Sequence, residues 1–137
     1  KTPQHTYQIL TKRPERLVKL IPDLEFYKNI WIGVSVENQE YVYRVDLLRQ
    51  VPAAVRFVSC EPLLGELTLN LTDINWVIVG GESGHKFRKV NKDWIVSIKD
   101  QCQQAKVAFF FKQWGGTTPK ANGNSLDEIK YLEFPEC

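Results

Sequence analysis

Five short apolar segments recur along this chain, and their spacing limits the folds that it can adopt. Each has seven to nine residues and is rich in β-branched or aromatic side chains; they occupy residues 6–12, 29–36, 54–62, 74–81 and 107–114. Nearly continuous apolar strands are typical of parallel sheets, because both faces of such sheets are covered. The sequence therefore predicts five parallel β-strands.

Helical patterns lie between several of these segments. Apolar residues recur at helical spacing in residues 14–21, 37–50 and 91–106, and Asn91 is the expected N-cap of the last helix. Residues 63–73, between the third and fourth strands, have the pattern of a loop rather than of a helix. We therefore expect helices in most of the connections between strands.

The alternation of strands and helices predicts an α/β fold. Two architectures fit it: a partial (β/α) barrel, or an open parallel sheet with helices outside, with about five βα units in either case. A complete barrel takes ~250 residues. We therefore expect residues 1–137 to be a single domain and the carboxyl-terminal part of a longer (β/α)-barrel protein, whose missing amino-terminal half would complete the barrel.

Two further expectations concern the end of the chain and the open edge of the predicted sheet. Residues 126–137 are expected to pack back on the sheet as a short strand or cap. A sheet edge that lacks a neighbouring strand exposes unpaired backbone groups and favours association. A homo-oligomer formed through the open sheet edge is therefore a further expectation.

The cysteines and the hydropathy pattern bear on the cellular compartment. Cys60, Cys102 and Cys137 are odd in number and widely spaced, which fits neither a disulfide framework nor a C-x-x-C metal site. Reduced thiols are usual in the cytoplasm, and we expect this protein there. No apolar run approaches the ~20 residues that cross a bilayer, so we expect no membrane partner.

Charged and polar residues follow each of the five predicted strands. The carboxyl ends of parallel strands meet at one edge of a sheet, where active sites of α/β proteins are built. We therefore expect the residues at these ends to converge on one site. The candidates are Lys12 after the first strand, Ser35 and Glu37 at the second, Glu61 at the third, Glu82 at the fourth and Lys112 in the fifth.

The fourth strand ends in the run Gly80-Gly81-Glu82-Ser83, which has two interpretations. The glycines can serve a tight turn, or they can let backbone N–H groups approach a bound substrate or anion. The following residues 85–92, HKFRKVNK, carry four Lys or Arg side chains. Such a run is typical of a solvated surface or of a contact with nucleic acid.

Several segments, taken in order, resemble one known family. They are QHTYQILTKRPERL, NIWIGVSVENQEYVYRVDLLRQVPAAVRFVSCEPLLGEL, INWVIVGGESG, FFFKQWGG and TPKANG. Together they are similar to a phage-associated bacterial family that is named after gene products thirty-seven and sixty-eight of a bacteriophage. The fold of that family resembles the partial (β/α) barrel of radical S-adenosylmethionine enzymes.

The resemblance implies a cofactor and contacts to it. In that family a cysteine cluster near the amino terminus would hold a [4Fe–4S] cluster, and none of the three cysteines here matches it. The resemblance therefore implies that this fragment binds no cofactor alone, whereas its parent uses a [4Fe–4S] cluster and S-adenosylmethionine. Ser35 and Glu37 would contact the cofactor's ribose, and Lys12 would face its carboxylate. Radical enzymes carry a Gly-Gly-Glu motif on an earlier strand, so that role is not assigned to Glu82.

Three functions remain open on the sequence. The first is a fragment of a radical S-adenosylmethionine-like enzyme of phage-related origin, inactive by itself, with Glu37, Glu61, Glu82 and Lys112 as candidate catalytic residues. The second is an iron-independent (β/α)-barrel enzyme that binds a phosphorylated substrate through Gly80-Gly81. The third is a module that binds nucleic acid through residues 85–92.

Overall fold

The computed structural model describes residues 2–136, so Cys137 lies outside the described residues. Its centre is a parallel sheet of five strands in the order β1-β2-β3-β4-β5. Every predicted strand is confirmed, with bounds β1 Tyr7–Thr11, β2 Ile30–Ser35, β3 Val55–Cys60, β4 Trp76–Gly80 and β5 Ala108–Gln113. The α/β class is confirmed, and the sheet is open because β1 and β5 form its opposite edges.

Three α-helices lie in the connections: α1 Pro14–Leu20, α2 Tyr43–Leu48 and α3 Lys92–Ala105. Asn91 caps α3, as predicted, because its side chain accepts a hydrogen bond from the Asp93 amide. The helix expected over residues 37–50 is shorter, since Asn38 first starts a 3₁₀ turn over Gln39–Tyr41. Of the five expected βα units, three therefore contain an α-helix.

The connection from β3 to β4 contains no α-helix, as the loop prediction requires, but it belongs to the core. Leu67, Leu69 and Leu71 are buried and alternate with exposed residues. Gln101 of α3 holds this segment by accepting from the Leu69 amide at 2.8 Å and donating to the Leu67 carbonyl at 2.8 Å. The leucines therefore cover the sheet where a helix would otherwise lie.

The sheet separates two apolar clusters. The larger lies under the helices and the leucine segment. The smaller lies on the other face and centres on Trp76, whose ring is 5.9 Å from that of Trp31 and 5.8 Å from that of Phe57. Phe134, near the end of the chain, also packs on Trp76, with ring centroids 5.0 Å apart. The smaller cluster consists of side chains of the strands themselves, with Phe134 packed against them, so this face of the sheet is covered less than the face under the helices.

The two edges of the sheet differ. Residues 131–133 pair antiparallel with β5, since Phe111 donates to the Tyr131 carbonyl at 2.8 Å, so the end of the chain packs back as predicted. A small hairpin, β6 Ser125–Leu126 and β7 Ile129–Lys130, precedes that segment. At the other edge β1 has no outer partner among residues 2–136, and Ile9 and Leu10 are each 49% exposed.

Candidate functional site

The carboxyl ends of the five strands bring the predicted charged residues to one edge of the sheet, called the carboxyl edge below. They lie there as three ion pairs rather than as one cluster. Lys12 pairs with Glu37, Glu61 with Lys112, and Glu82 with Arg88. The parallel sheet therefore brings these charged side chains to one edge, as predicted. Each of the three carboxylates has a cationic partner there.

Glu37 follows β2 and is the buried acid of this edge, with 7% of its surface exposed. Lys12 contacts one carboxylate oxygen, and Arg44 of α2 lies 3.5 Å from the other. Arg44 also donates to the Ser35 carbonyl at 2.8 Å, and its guanidinium lies 4.2 Å from the centre of the Tyr41 ring. Two cations thus compensate the buried charge, which a carboxylate requires when it leaves water.

Polar side chains are concentrated around Glu37. Among residues 2–136 the buried polar or charged residues are Ser35, Glu37, Arg44 and Ser59, and all four lie at or beside the carboxyl ends of β2 and β3. The Arg44 Nε atom is buried and has no hydrogen-bond partner within the described residues. Burial of polar groups costs free energy unless they are paired. Such a concentration is therefore typical of a site that serves function rather than stability.

A cavity of about 330 Å³ opens beside Glu37. Its walls include the three cations Lys12, Arg44 and Arg88 and one carboxylate, that of Glu37. Arg88 reaches it from the loop after β4, while the backbone amide of Leu64 donates to the Glu37 carbonyl at 2.8 Å and closes another side. The cavity is consequently rich in positive charge and suited to a small ligand with an anionic group.

Glu61 and Lys112 meet across β4. The Lys112 Nζ atom lies 3.1 Å from a Glu61 carboxylate oxygen, above the bare Cα of Gly80. A Cβ atom at Gly80 would lie only 3.0 Å from the Glu61 Cγ atom. Gly80 therefore makes room for an ion pair between the strands on either side of it.

Gly81 allows the backbone of Trp114, just after β5, to approach closely. Its amide donates to the Gln113 carbonyl at 2.9 Å, and a Cβ atom there would lie 1.8 Å from the Trp114 carbonyl oxygen. The Gln113 side chain donates to the Gly81 carbonyl at 3.1 Å and to the Ser83 hydroxyl at 3.0 Å. The Gly81 amide and the Ser83 hydroxyl are thus engaged within the protein, and anion binding by residues 80–83 stays a prediction.

Glu82 is bound on both carboxylate oxygens by Arg88. The guanidinium donates at 2.9 Å and 2.8 Å, and the Arg88 backbone amide donates at 2.7 Å. These hydrogen bonds stabilise the charged carboxylate and lower the Glu82 pKa to about 2. Glu82 therefore organises the loop after β4 as an anion, while a catalytic role for it stays a prediction.

The described cysteines are buried free thiols. Cys60 and Cys102 lie in the larger core cluster, and burial raises the pKa of both, that of Cys102 to about 12. A protonated, inaccessible thiol is a poor nucleophile, so Cys60 is unsuited to nucleophilic catalysis. Within residues 2–136 no group of three His, Cys, Asp or Glu side chains could hold a metal ion.

A second and larger cavity, of about 950 Å³, lies at the same edge beyond β4 and β5. Three aromatic side chains, those of Phe87, Trp94 and Trp114, line it together with Lys89 and Lys92. It lies between the loop that precedes α3 and the segment that follows β5. The carboxyl edge therefore has two parts, a charged one beside Glu37 and an aromatic one beside Trp114.

Comparison with known proteins assigns the chain to a family. The family model described as "Protein of unknown function (DUF5131)" matches residues 1–135. The chain belongs to this family. No curated protein and no solved structure matches it. Among the described residues of this DUF5131 member, no helix is long and apolar enough to cross a membrane.

Sequence reasoning predicted part of the arrangement at the carboxyl edge of this DUF5131 chain. Lys12 and Glu37 were expected at one site and do form an ion pair, with Ser35 two residues away. Sequence reasoning missed Arg44. In the helix predicted over residues 37–50, only the apolar side chains were expected to face the core, and Arg44 is charged. The aromatic cavity was also missed, and the signal for it was Phe87 amid the basic residues 85–92, since a single apolar ring in a charged loop has no partner within that loop.

Proposed function

We propose that this chain is the carboxyl-terminal part of a (β/α)-barrel enzyme whose substrate or cofactor binds beside Glu37. The observation that carries this proposal is the concentration of buried polar residues at one end of the sheet, including an acid held between two cations. Ligands of parallel α/β proteins bind at that end of the sheet. A 330 Å³ cavity with a buried carboxylate and three cations fits a small polar ligand.

The exposed edge of the sheet supports the barrel part of this proposal. Ile9 and Leu10 of β1 are half exposed, although strands of a parallel sheet are normally covered. A further strand added beside β1 would pair its free backbone groups and bury these side chains. An amino-terminal half of a barrel would supply such a strand, and a second copy of this chain would be the alternative partner.

The finer assignment, a radical S-adenosylmethionine-like enzyme of phage-related origin, rests on the sequence resemblance, and its proposed place in the cytoplasm rests on the reduced cysteines. Lys12 and Glu37 form an ion pair and line one cavity at the carboxyl edge, which supports their proposed contacts to a nucleoside cofactor. Ser35 is buried at the end of β2, and its proposed contact rests on the resemblance. Residues 2–136 offer no ligand set for a metal cluster, so cysteines outside them would have to hold it. The cluster and S-adenosylmethionine would supply the radical chemistry, while this chain would bind and orient.

The test uses the full protein that contains this chain. It is reconstituted anaerobically with iron and sulfide, reduced, and incubated with S-adenosylmethionine, and 5′-deoxyadenosine is measured. We expect product in the wild type and a loss of about tenfold or more in Glu37→Gln, because a positioned carboxylate contributes on that scale. Glu40→Gln is the control, since Glu40 is close in sequence but exposed. Failure to bind any cluster, or equal activity in both variants, would contradict the proposal.

A second candidate is an iron-independent barrel enzyme that binds a phosphorylated substrate. The three cations on the wall of the Glu37 cavity outnumber the two carboxylates that pair with them, Glu37 and Glu82, and this excess favours it. Inorganic phosphate at millimolar concentration should then raise the unfolding temperature of the chain, because a ligand that binds only the folded state stabilises it. Arg88→Ala should reduce that shift, and the absence of any shift in the wild type would exclude this candidate.

A further inference from the structure

The aromatic cavity beyond β4 and β5 has no role in the proposed enzyme. Its volume of about 950 Å³ exceeds the 330 Å³ of the cavity beside Glu37, and the two lysines on its wall contrast with the mixed charge around Glu37. Ligand sites are typically concave, apolar and lined by aromatic side chains with a few polar groups. This combination favours a ligand that has both flat apolar surfaces and negative charge.

The aromatic rings are held in place. Trp114 donates from its indole nitrogen to the Ser125 carbonyl at 2.8 Å and packs edge-on against Phe111, with ring centroids 5.1 Å apart. Trp94 lies in the first turn of α3, which Asn91 caps, and packs against the larger core cluster. Phe87, by contrast, is 36% exposed in a loop whose neighbours are charged. The cavity therefore combines two fixed indole rings with one ring that a ligand can cover.

The cations next to these rings differ in their pairing. Lys92 is paired with Asp127, and Arg88 with Glu82. Lys86 and Lys89 are exposed and make no ion pair within residues 2–136. Lys86 directly precedes Phe87, and Lys89 follows it by two residues and lines the cavity, so two unpaired positive charges lie close in sequence to an exposed aromatic ring.

We propose that this cavity binds a short single-stranded segment of nucleic acid. The bases would stack on Phe87, Trp94 and Trp114, and the phosphates would contact Lys86 and Lys89. Aromatic platforms beside a positive groove are the usual means of binding single strands, whose bases expose their faces. A duplex hides those faces, so it would contact only the lysines. The proposal does not depend on the enzymatic one.

The first measurement is the fluorescence anisotropy of a labelled decathymidylate oligonucleotide titrated with the 137-residue chain. We expect binding at 50 mM salt, together with quenching of tryptophan emission from Trp94 and Trp114, since Trp31 and Trp76 are buried. Release of counterions from two phosphates predicts that affinity falls about sevenfold between 50 and 200 mM salt. A duplex of equal length should bind more weakly. Absence of binding at 50 mM salt would overturn the proposal.

Variants with matched controls separate stacking from general charge attraction. Phe87→Ala should weaken binding at least about fivefold, the lower end for stacking on one ring. Tyr27→Ala, which removes another exposed ring, should have no effect. Lys86→Ala/Lys89→Ala should weaken binding and flatten its salt dependence.

The charge control is Arg16→Ala/Lys19→Ala on α1, which changes the net charge equally at the other side of the sheet. Equal losses in the two double variants would show general attraction only and overturn the proposal. Duplex binding as tight as that of the single strand would also overturn it. The same variants are also tested for binding to vesicles of anionic lipid. If Phe87→Ala weakens binding to the vesicles but not to the oligonucleotide, the cavity would be assigned to a membrane surface instead.

Discussion

The Arg44→Met substitution tests how the buried charge at the carboxyl edge is compensated. Arg44 is 8% exposed and donates to the Ser35 carbonyl at 2.8 Å, and it lies 3.5 Å from the Glu37 carboxylate. A hydrogen bond to a charged group contributes about 1.5–3 kcal/mol. Removing one partner of a buried ion pair costs about 3–5 kcal/mol. Because Lys12 still contacts Glu37, we expect a loss of about 2–4 kcal/mol in the free energy of unfolding.

The measurement is urea denaturation followed by tryptophan fluorescence, with Arg16→Met as the exposed control. The double variant Glu37→Met/Arg44→Met removes both charges, so it should be less destabilised than the sum of the two single variants by at least about 1 kcal/mol. This follows because a buried pair replaced by apolar side chains leaves no uncompensated charge. A cost below about 0.5 kcal/mol for Arg44→Met, or simple additivity in the double variant, would refute the reasoning.

Two further predictions concern other parts of the structure. Gly33→Ala places a Cβ atom 2.3 Å from the Phe57 ring, so it should destabilise the fold by about 1–3 kcal/mol in urea denaturation. Combined with Phe57→Leu it should cost less than the sum of the two changes, and additive costs would contradict the proposed overlap. The Glu82 pKa is lowered to about 2 by Arg88, so the charged carboxylate stabilises the folded state above its unfolded pKa and loses that effect as the pH falls from about 4.5 towards 2. Wild type should therefore lose more thermal stability than Glu82→Gln over that range, whereas Glu15→Gln, at an exposed residue, should follow the wild type; parallel losses in all three would disprove the effect.

The strands were predictable because their signal is local. Residues 76–81, WVIVGG, contain no polar side chain, and burial on both faces of a sheet satisfies that pattern. The start of the α-helix predicted over residues 37–50 was less predictable. Asn38 starts a 3₁₀ turn and α2 begins only at Tyr43; the choice between one long helix and a 3₁₀ turn followed by a short helix depends on packing rather than on helical spacing.

The leucine segment between β3 and β4 shows a different limit of prediction from the sequence. Its alternation at Leu67, Leu69 and Leu71 is that of a strand, yet it pairs with no strand of the sheet. It is held instead by the side chain of Gln101, which lies more than 30 residues away in the sequence. A hydrogen bond between a side chain and a backbone segment far away in the chain leaves no periodic signal in the sequence. The sequence therefore predicted only a loop for this segment.

The sequence by itself determined which residues reach the carboxyl edge. Strand direction in a parallel sheet is uniform, so Lys12, Glu37, Glu61 and Lys112 had to meet there. Only the tertiary structure decided which of them pair, because an ion pair depends on the distance between side chains on different strands. It likewise decided that Arg44 is buried and that Gly80 leaves room for a contact across β4, since both depend on neighbours far away in the chain.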